Sequence, residues 1–507
     1  MSVERRTILK TTAAATGIGG PFAGLVAAPA EALAPPNPTE LFPVKDKRDG
    51  MVRLHLPKGF NYRSFHDTEK PVTLTDGTAL PGRHDGMGAF RGPRGTVLLV
   101  RNHEVNVAGP PATAFGPGDP YDERAGSGTT TVQTTKHGWV IRSFTSLNGT
   151  LMNCSGGQMP WGAWVTCEET INGPDVGADF TTTPNTDLTK PHGYVFEVPA
   201  SHLPGQGQSS REPIRHAGRF AHEAVSFDPR HGHLYLTEDN FAFASGFYRY
   251  RPPRHPMKRG RLEDGGTLQM LKVKGVDNAH LEAAQVAGTT YDVKWVDIPE
   301  PDVEYDYTPG VPATTPNDTA LVHVSSQGWD QGAAFFSRLE GQVYDDGVVY
   351  FTSTQGGGAA ESGTGHPPPV PPDPAGYGNG FGQVWAYDIK REKLRCVFQS
   401  PDRLTLDFPD NITTSNRGSL VVCEDSSQDN YIRGLSPSGR IWDIALNRLV
   451  STIPTNPPTD PPTFPTRFND EFAGTTFSPD GHTLFVNIQA GNGMTFAIWG
   501  PWRRIGV

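Results

Sequence analysis

Gly418-Ser-Leu-Val-Val-Cys-Glu-Asp425 is a glycine, a short apolar run and an acidic end, and the phrase comes back five more times along the chain. The other copies are Gly95-Thr-Val-Leu-Leu-Val-Arg-Asn-His-Glu104, Gly162-Ala-Trp-Val-Thr-Cys-Glu-Glu169, Gly232-His-Leu-Tyr-Leu-Thr-Glu-Asp-Asn240, Gly347-Val-Val-Tyr-Phe-Thr-Ser-Thr-Gln355 and Gly481-His-Thr-Leu-Phe-Val-Asn-Ile-Gln489. Their glycines are spaced 67, 70, 115, 71 and 63 residues apart. A second apolar run headed by an acid or amide precedes most copies, at His84-Asp85, His222-Glu223, Glu340, Asp410-Asn411 and Glu471. The second copy is the exception: Asn153-Cys-Ser-Gly-Gly-Gln158 carries no acid. Turn signals such as Asp345-Asp346-Gly347 and Ser478-Pro479-Asp480-Gly481 lie between the two runs, so each pair reads as a β-hairpin.

Six hairpin units of this period predict an all-β chain, a six-bladed β-propeller with long inserted loops. The loops are placed at 252–320, at 356–380 around Pro367-Pro-Pro-Val-Pro-Pro372, and at Pro457-Pro458 and Pro461-Pro462. Composition agrees. Gly (58) and Pro (47) make up about a fifth of the 507 residues, and charged residues only 19%, which excludes a helical bundle, a coiled coil and a disordered chain. Net charge is −10 with no basic block, so nucleic-acid binding is not expected.

The first 34 residues are distinct. Glu4-Arg5-Arg6-Thr7-Ile8-Leu9-Lys10 opens an Ala/Gly stretch that ends in small-x-small sites such as Ala32-Leu33-Ala34, a pattern similar to a twin-arginine export signal. We expect 1–34 to be that signal, read by the twin-arginine translocase, and 35–507 to be one propeller domain. The mature chain should lack a transmembrane segment, act as a monomer, and reside in the periplasm or outside the cell.

Equivalent positions of different blades converge on a propeller's axis. The acidic ends of the repeats would then share one channel, and carboxylates in close company stay ionised only with compensation. Bound cations supply it: hard oxygen ligands suit Ca²⁺ or Mg²⁺, whereas a thiolate among them, here Cys167, suits iron. Cys167 can equally be a core thiol or half of a disulfide. Glu168 and Glu169 cannot face the same way on a regular strand, nor can Glu424 and Asp425. Arg338 and Glu340, two apart, share a face, where a guanidinium beside a metal carboxylate can take a phosphate in bidentate fashion. An ion pair with a neighbouring acid explains Arg338 equally well.

Arg101-Asn-His-Glu104, Trp164-Val-Thr-Cys-Glu-Glu169, Gly218-Arg-Phe-Ala-His-Glu-Ala-Val225, Leu234-Tyr-Leu-Thr-Glu-Asp-Asn240, Ser245-Gly-Phe-Tyr-Arg-Tyr250 and Arg338-Leu-Glu-Gly341 together resemble the PhoX-type alkaline phosphatases. The resemblance runs from about residue 80 to the C-terminus. It implies hydrolysis of small-molecule phosphate monoesters at Fe³⁺ and Ca²⁺ in the propeller channel. Carried over, Cys167 would ligate iron. Glu168, Glu223, Glu340, Asp425 and Glu471 would be carboxylate ligands to iron or calcium, and Arg338 would hold the phosphate. Two other readings compete: a calcium-dependent propeller hydrolase of the lactonase kind, and a non-catalytic binding propeller stabilised by calcium. Neither needs the thiolate or the phosphate clamp.

Overall fold

The repeat phrases form hairpins because each contains a turn that only glycine enters cheaply. Gly95, Gly162, Gly232, Gly347, Gly418 and Gly481 all stand at positive φ, between 67° and 86°. The computed structural model describes residues 39–105, 113–179, 181–361, 376–436, 439–455 and 461–507. The expected export signal, the proline run 367–372 and Pro457-Pro458 lie outside these.

Six antiparallel hairpins result. They pair His84–Arg91 with Val97–His103, Asn153–Met159 with Ala163–Glu168, and His222–Asp228 with His233–Glu238. The other three pair Leu339–Asp345 with Val348–Ser353, Pro409–Thr414 with Leu420–Glu424, and Glu471–Phe477 with Thr483–Gln489. The first strands do not pair with one another. Each packs beside the first strand of the next repeat, and the sixth returns to the first, closing a ring. The close approach is set by small residues. A Cβ on Gly86 would lie 2.5 Å from the Ser155 Cα of the next repeat, and one on Gly341 would lie 2.7 Å from the Asn411 Cα.

Further strands extend each hairpin outward into five sheets, so the described chain is all-β with short helices. Apolar side chains fill the space between neighbouring sheets, for example Ile432, Ile444, Leu484, Val486 and Phe496 in one cluster. Two features were not read from the sequence. The 252–320 stretch is not simply a loop: Thr267–Val273 and Thr290–Ile298 are strands, and the second pairs with Lys393–Gln399, fusing the sheets of the third and fourth repeats. The first of them buries Leu268, Met270, Leu271 and Val273, so it is covered on both faces. In addition, Asn61–Phe65 pairs with Met494–Trp499, so a strand from near the start of the described chain completes the sheet of the last repeat. All four cysteines are free and buried. No helix among the described residues is long and apolar enough to cross a membrane.

Candidate metal centre

The decisive local feature is a β-bulge repeated around the ring. In five hairpins the ladder skips two residues directly after its first pair, following His84, Asn153, His222, Leu339 and Pro409. The first skipped residues are Asp85, Cys154, Glu223, Glu340 and Asp410. A bulge re-aims a side chain out of the strand's alternation. On the opposite strand, the residue just past the ladder is Glu104, Glu169, Asp239, Thr354 or Asp425. Its amide donates to the carbonyl of the residue that precedes the first strand, at 2.9–3.1 Å. The sixth hairpin departs: its shift falls between Ala473 and Thr476, and Glu471 heads its first strand.

These residues meet across repeats. Cys154, Glu169 and Glu223 each offer a ligand atom, all within 4.8 Å of one another. Glu223, Glu340 and Asp410 form a second such group, so Glu223 belongs to both. The Cys154 Sγ also donates to the His222 carbonyl at 3.1 Å. The electrostatics are those of crowded, buried acids. Burial, then Glu340 and Glu169, push the Glu223 carboxyl well above its ordinary range. Burial and Asp239 do the same to Glu340, and burial and Asp425 to Glu471. Burial raises Asp410 to about 7, against the hydrogen bond from Asn411. Burial, then Glu223 and Glu169, raise the Cys154 thiol. Such a cluster holds protons until cations displace them.

Arg338 stands at the rim of this cluster. Its φ of 41° places it in the left-handed region immediately before strand Leu339–Asp345. Its Nε and Nη2 donate to both Asp239 oxygens at 2.8–3.2 Å, and Nη2 also donates to Glu340 at 2.8 Å. Phe241, half exposed, lies with its ring 5.8 Å from the guanidinium.

The expected residues are divided by this geometry. Glu223, Glu340, Asp425, Glu471 and Arg338 are all in or beside the cluster, where Asp425 and Glu471 interact directly. Cys167 is not in it. It lies fully buried in the apolar cluster of Val165, Val195 and Phe220, and no group of described residues that could share a cation includes it. Glu168 is fully engaged elsewhere: Oε1 accepts from the Leu151 amide and from His192 Nδ1, and Oε2 from the Gly193 and Tyr194 amides. Glu238 and Glu424 do the same work, receiving Gly246 and Tyr248, and Asp407, Tyr431 and Arg433, respectively. Strand alternation is the reason. Glu168, Glu238 and Glu424 end their second strands and anchor loops, whereas Glu169, Asp239 and Asp425, one residue on, face the other way. The adjacent histidines also anchor: His103 bonds the Gly82 carbonyl and Thr130, and His222 bonds the Gly218 carbonyl.

The thiol in the cluster is therefore Cys154, from the stretch whose neighbours in sequence offer no acid. The signal was its spacing. Cys154 lies 8 residues before Gly162, inside the 7–10 that separate Asp85, Glu223, Glu340 and Asp410 from their glycines.

The family model for alkaline phosphatase PhoX matches residues 39–143 and 125–492. The structure of Pseudomonas fluorescens PhoX in complex with vanadate, a transition state analogue, shares 16% identity, covers 91% of this chain and 98% of its own, and superposes with a TM-score of 0.60. At that identity it speaks for the fold, a propeller-like one. Virginiamycin B lyase from Staphylococcus aureus (11% identity, 87% and 99% covered, TM-score 0.37) and a gluconolactonase from Xanthomonas campestris (12%, 86% and 97%, 0.32) are too distant to bear on this chain. No curated protein sequence matches it.

Proposed function

The chain belongs to the alkaline phosphatase PhoX family, and from that premise we propose that it is an exported, metal-dependent phosphatase hydrolysing phosphate monoesters in the channel of a six-bladed propeller. One observation carries the reading: side chains from four repeats, Cys154, Glu169, Glu223, Glu340 and Asp410, crowd into two adjoining groups with ligand spacing. The closed ring of six first strands supports the blade count, two blades being joined at their outer edges.

The donor set fits the cations the family implies. A thiol with two carboxylates suits Fe³⁺, and the all-oxygen group of Glu223, Glu340 and Asp410 suits Ca²⁺, with Asp425 and Glu471 as further carboxylates. When bound, these ions offset the phosphate's charge and stabilise the charge that develops on it. The protein's own part is positioning. Glu223, shared by both groups, fixes their separation. Asp239 and Glu340 hold the Arg338 guanidinium at the rim through Nε and Nη2, leaving the Nη1 N–H groups for the phosphoryl group. Phe241 lies beside that guanidinium, its ring 5.8 Å away. Export by the twin-arginine route through residues 1–34, one domain over 35–507 and a monomeric state complete the proposal.

The test is p-nitrophenyl phosphate turnover with Ca²⁺, before and after EGTA, for wild type and Arg338→Ala, with elemental analysis of the purified protein. Turnover should need calcium, iron should be present, and the substitution should lower kcat/KM by about 10²-fold or more. Turnover indifferent to EGTA, or equal in both proteins, would overturn it.

A further inference from the structure

Arg83 and Arg338 occupy the same place in two copies of the repeat. Each lies two residues before a bulged carboxylate, Asp85 or Glu340, and each is left-handed, with φ of 46° and 41°. The same backbone position is left-handed in the second and fifth copies, at Met152 and Phe408, so the bulged hairpin itself sets the direction of whatever side chain stands there. Each reaches an acid just past the end of a second strand, Arg83 that of its own hairpin, Glu104, and Arg338 that of the preceding hairpin, Asp239. The first strands follow one another round the ring in chain order, so the first and fourth copies stand across the mouth from each other.

The two differ in how firmly they are held. Arg338 is clamped by two acids. Arg83 Nε donates to the Glu104 carbonyl at 2.6 Å and Nη2 to Glu104 Oε2 at 3.1 Å, while Nη1 bonds to no described residue. Glu104 Oε2 also accepts from Gln489 Nε2, so this carboxylate does not depend on Arg83 for a partner. The Arg83 side chain is 32% exposed, against 17% for Arg338. It is the more available guanidinium, on the far side of a mouth otherwise lined by acids that repel anions.

We infer that Arg83 is a second oxyanion clamp, which binds a further negative group on the substrate while the phosphoryl group sits at Arg338. The substrate class is then phosphate esters whose leaving group carries another oxyanion, a carboxylate or a second phosphate, both of which a guanidinium takes in bidentate fashion. The identity of the first group rests on the phosphatase reading; the role of Arg83 as an anion site does not.

The experiment compares the holoenzyme with Arg83→Gln and Arg83→Lys. Its readouts are kcat/KM for glycerol 2-phosphate, 3-phosphoglycerate and fructose 1,6-bisphosphate, and calorimetric binding of methylphosphonate and phosphonoacetate. Wild type should favour the substrates with two anionic groups, and Arg83→Gln should reduce that preference about tenfold, mainly through KM. Arg83→Lys, which keeps the charge and loses the fork, should fall between and serves if the glutamine variant does not fold. The substrate whose preference collapses tells a carboxylate from a phosphate. Preference ratios unchanged in a folded variant would reduce Arg83 to a partner of Glu104 and overturn the inference. If no ester is hydrolysed, the phosphatase reading fails, yet the affinity gap between phosphonoacetate and methylphosphonate, and its loss in the variant, still decides Arg83.

Discussion

Two cysteines thirteen residues apart illustrate how little a residue type says without its direction. Cys167 sits in the more suggestive context, followed by two glutamates, yet its thiol points into the core. Cys154 sits in a stretch with no acid and borders the same apolar cluster, yet its bulge turns the thiol toward Glu169 and Glu223. Cys154→Ser should therefore lower the iron content sharply at modest cost to stability. Cys167→Ser should keep the iron and lose about 1–3 kcal/mol, since a hydroxyl is poorly tolerated in an apolar cluster. Elemental analysis and thermal melts check both. Full iron in Cys154→Ser would remove it from the site, and iron lost only in Cys167→Ser would return the ligand role to Cys167.

The functional element is the bulged hairpin rather than the strand. A regular strand would present alternate residues to two faces, and neither Asp85 nor Glu340 could be aimed while its neighbours stay paired. The bulge needs room, and Gly341 provides it by letting the fourth repeat's backbone approach the fifth. Gly341→Ala would press a methyl to 2.7 Å from the Asn411 Cα and force the two first strands apart, beside Glu340 and Asp410. We expect a loss of about 1–3 kcal/mol and weaker calcium binding, read by denaturation and calcium titration. Unchanged calcium affinity in the folded variant would separate ring packing from the site. The hairpins themselves were legible because a turn glycine and an apolar run are local signals. The bulge was not, since it depends on which partner residues pair.

At the scale of the whole molecule, the channel stores electrostatic strain. Asp85, Glu104, Glu169, Glu223, Glu340 and Glu471 all have carboxyls raised first of all by burial, and Asp410 is raised to about 7. An acid whose folded value lies above its unfolded one favours the folded state most when protonated. Its contribution is full below the ordinary carboxylate range near 4 and is lost as pH rises through the folded value. The metal-free protein should thus melt at progressively lower temperature between about pH 4 and 7, and added Ca²⁺ should restore stability most at the upper end. Differential scanning fluorimetry with and without EGTA reads this. A metal-free melting temperature that rises over that window would contradict the convergence of these acids.

The sequence alone determined the six hairpins, the all-β class and the acidic character of the site, because turn glycines, apolar runs and side-chain chemistry act over a few residues. Only the tertiary structure decided which acids face the channel, that Cys154 rather than Cys167 joins them, and that Asn61–Phe65 completes the last sheet beside Met494–Trp499. Those outcomes depend on strand register and on contacts between distant segments. A shift of one residue reverses a side chain's direction while leaving the local pattern of the sequence unchanged.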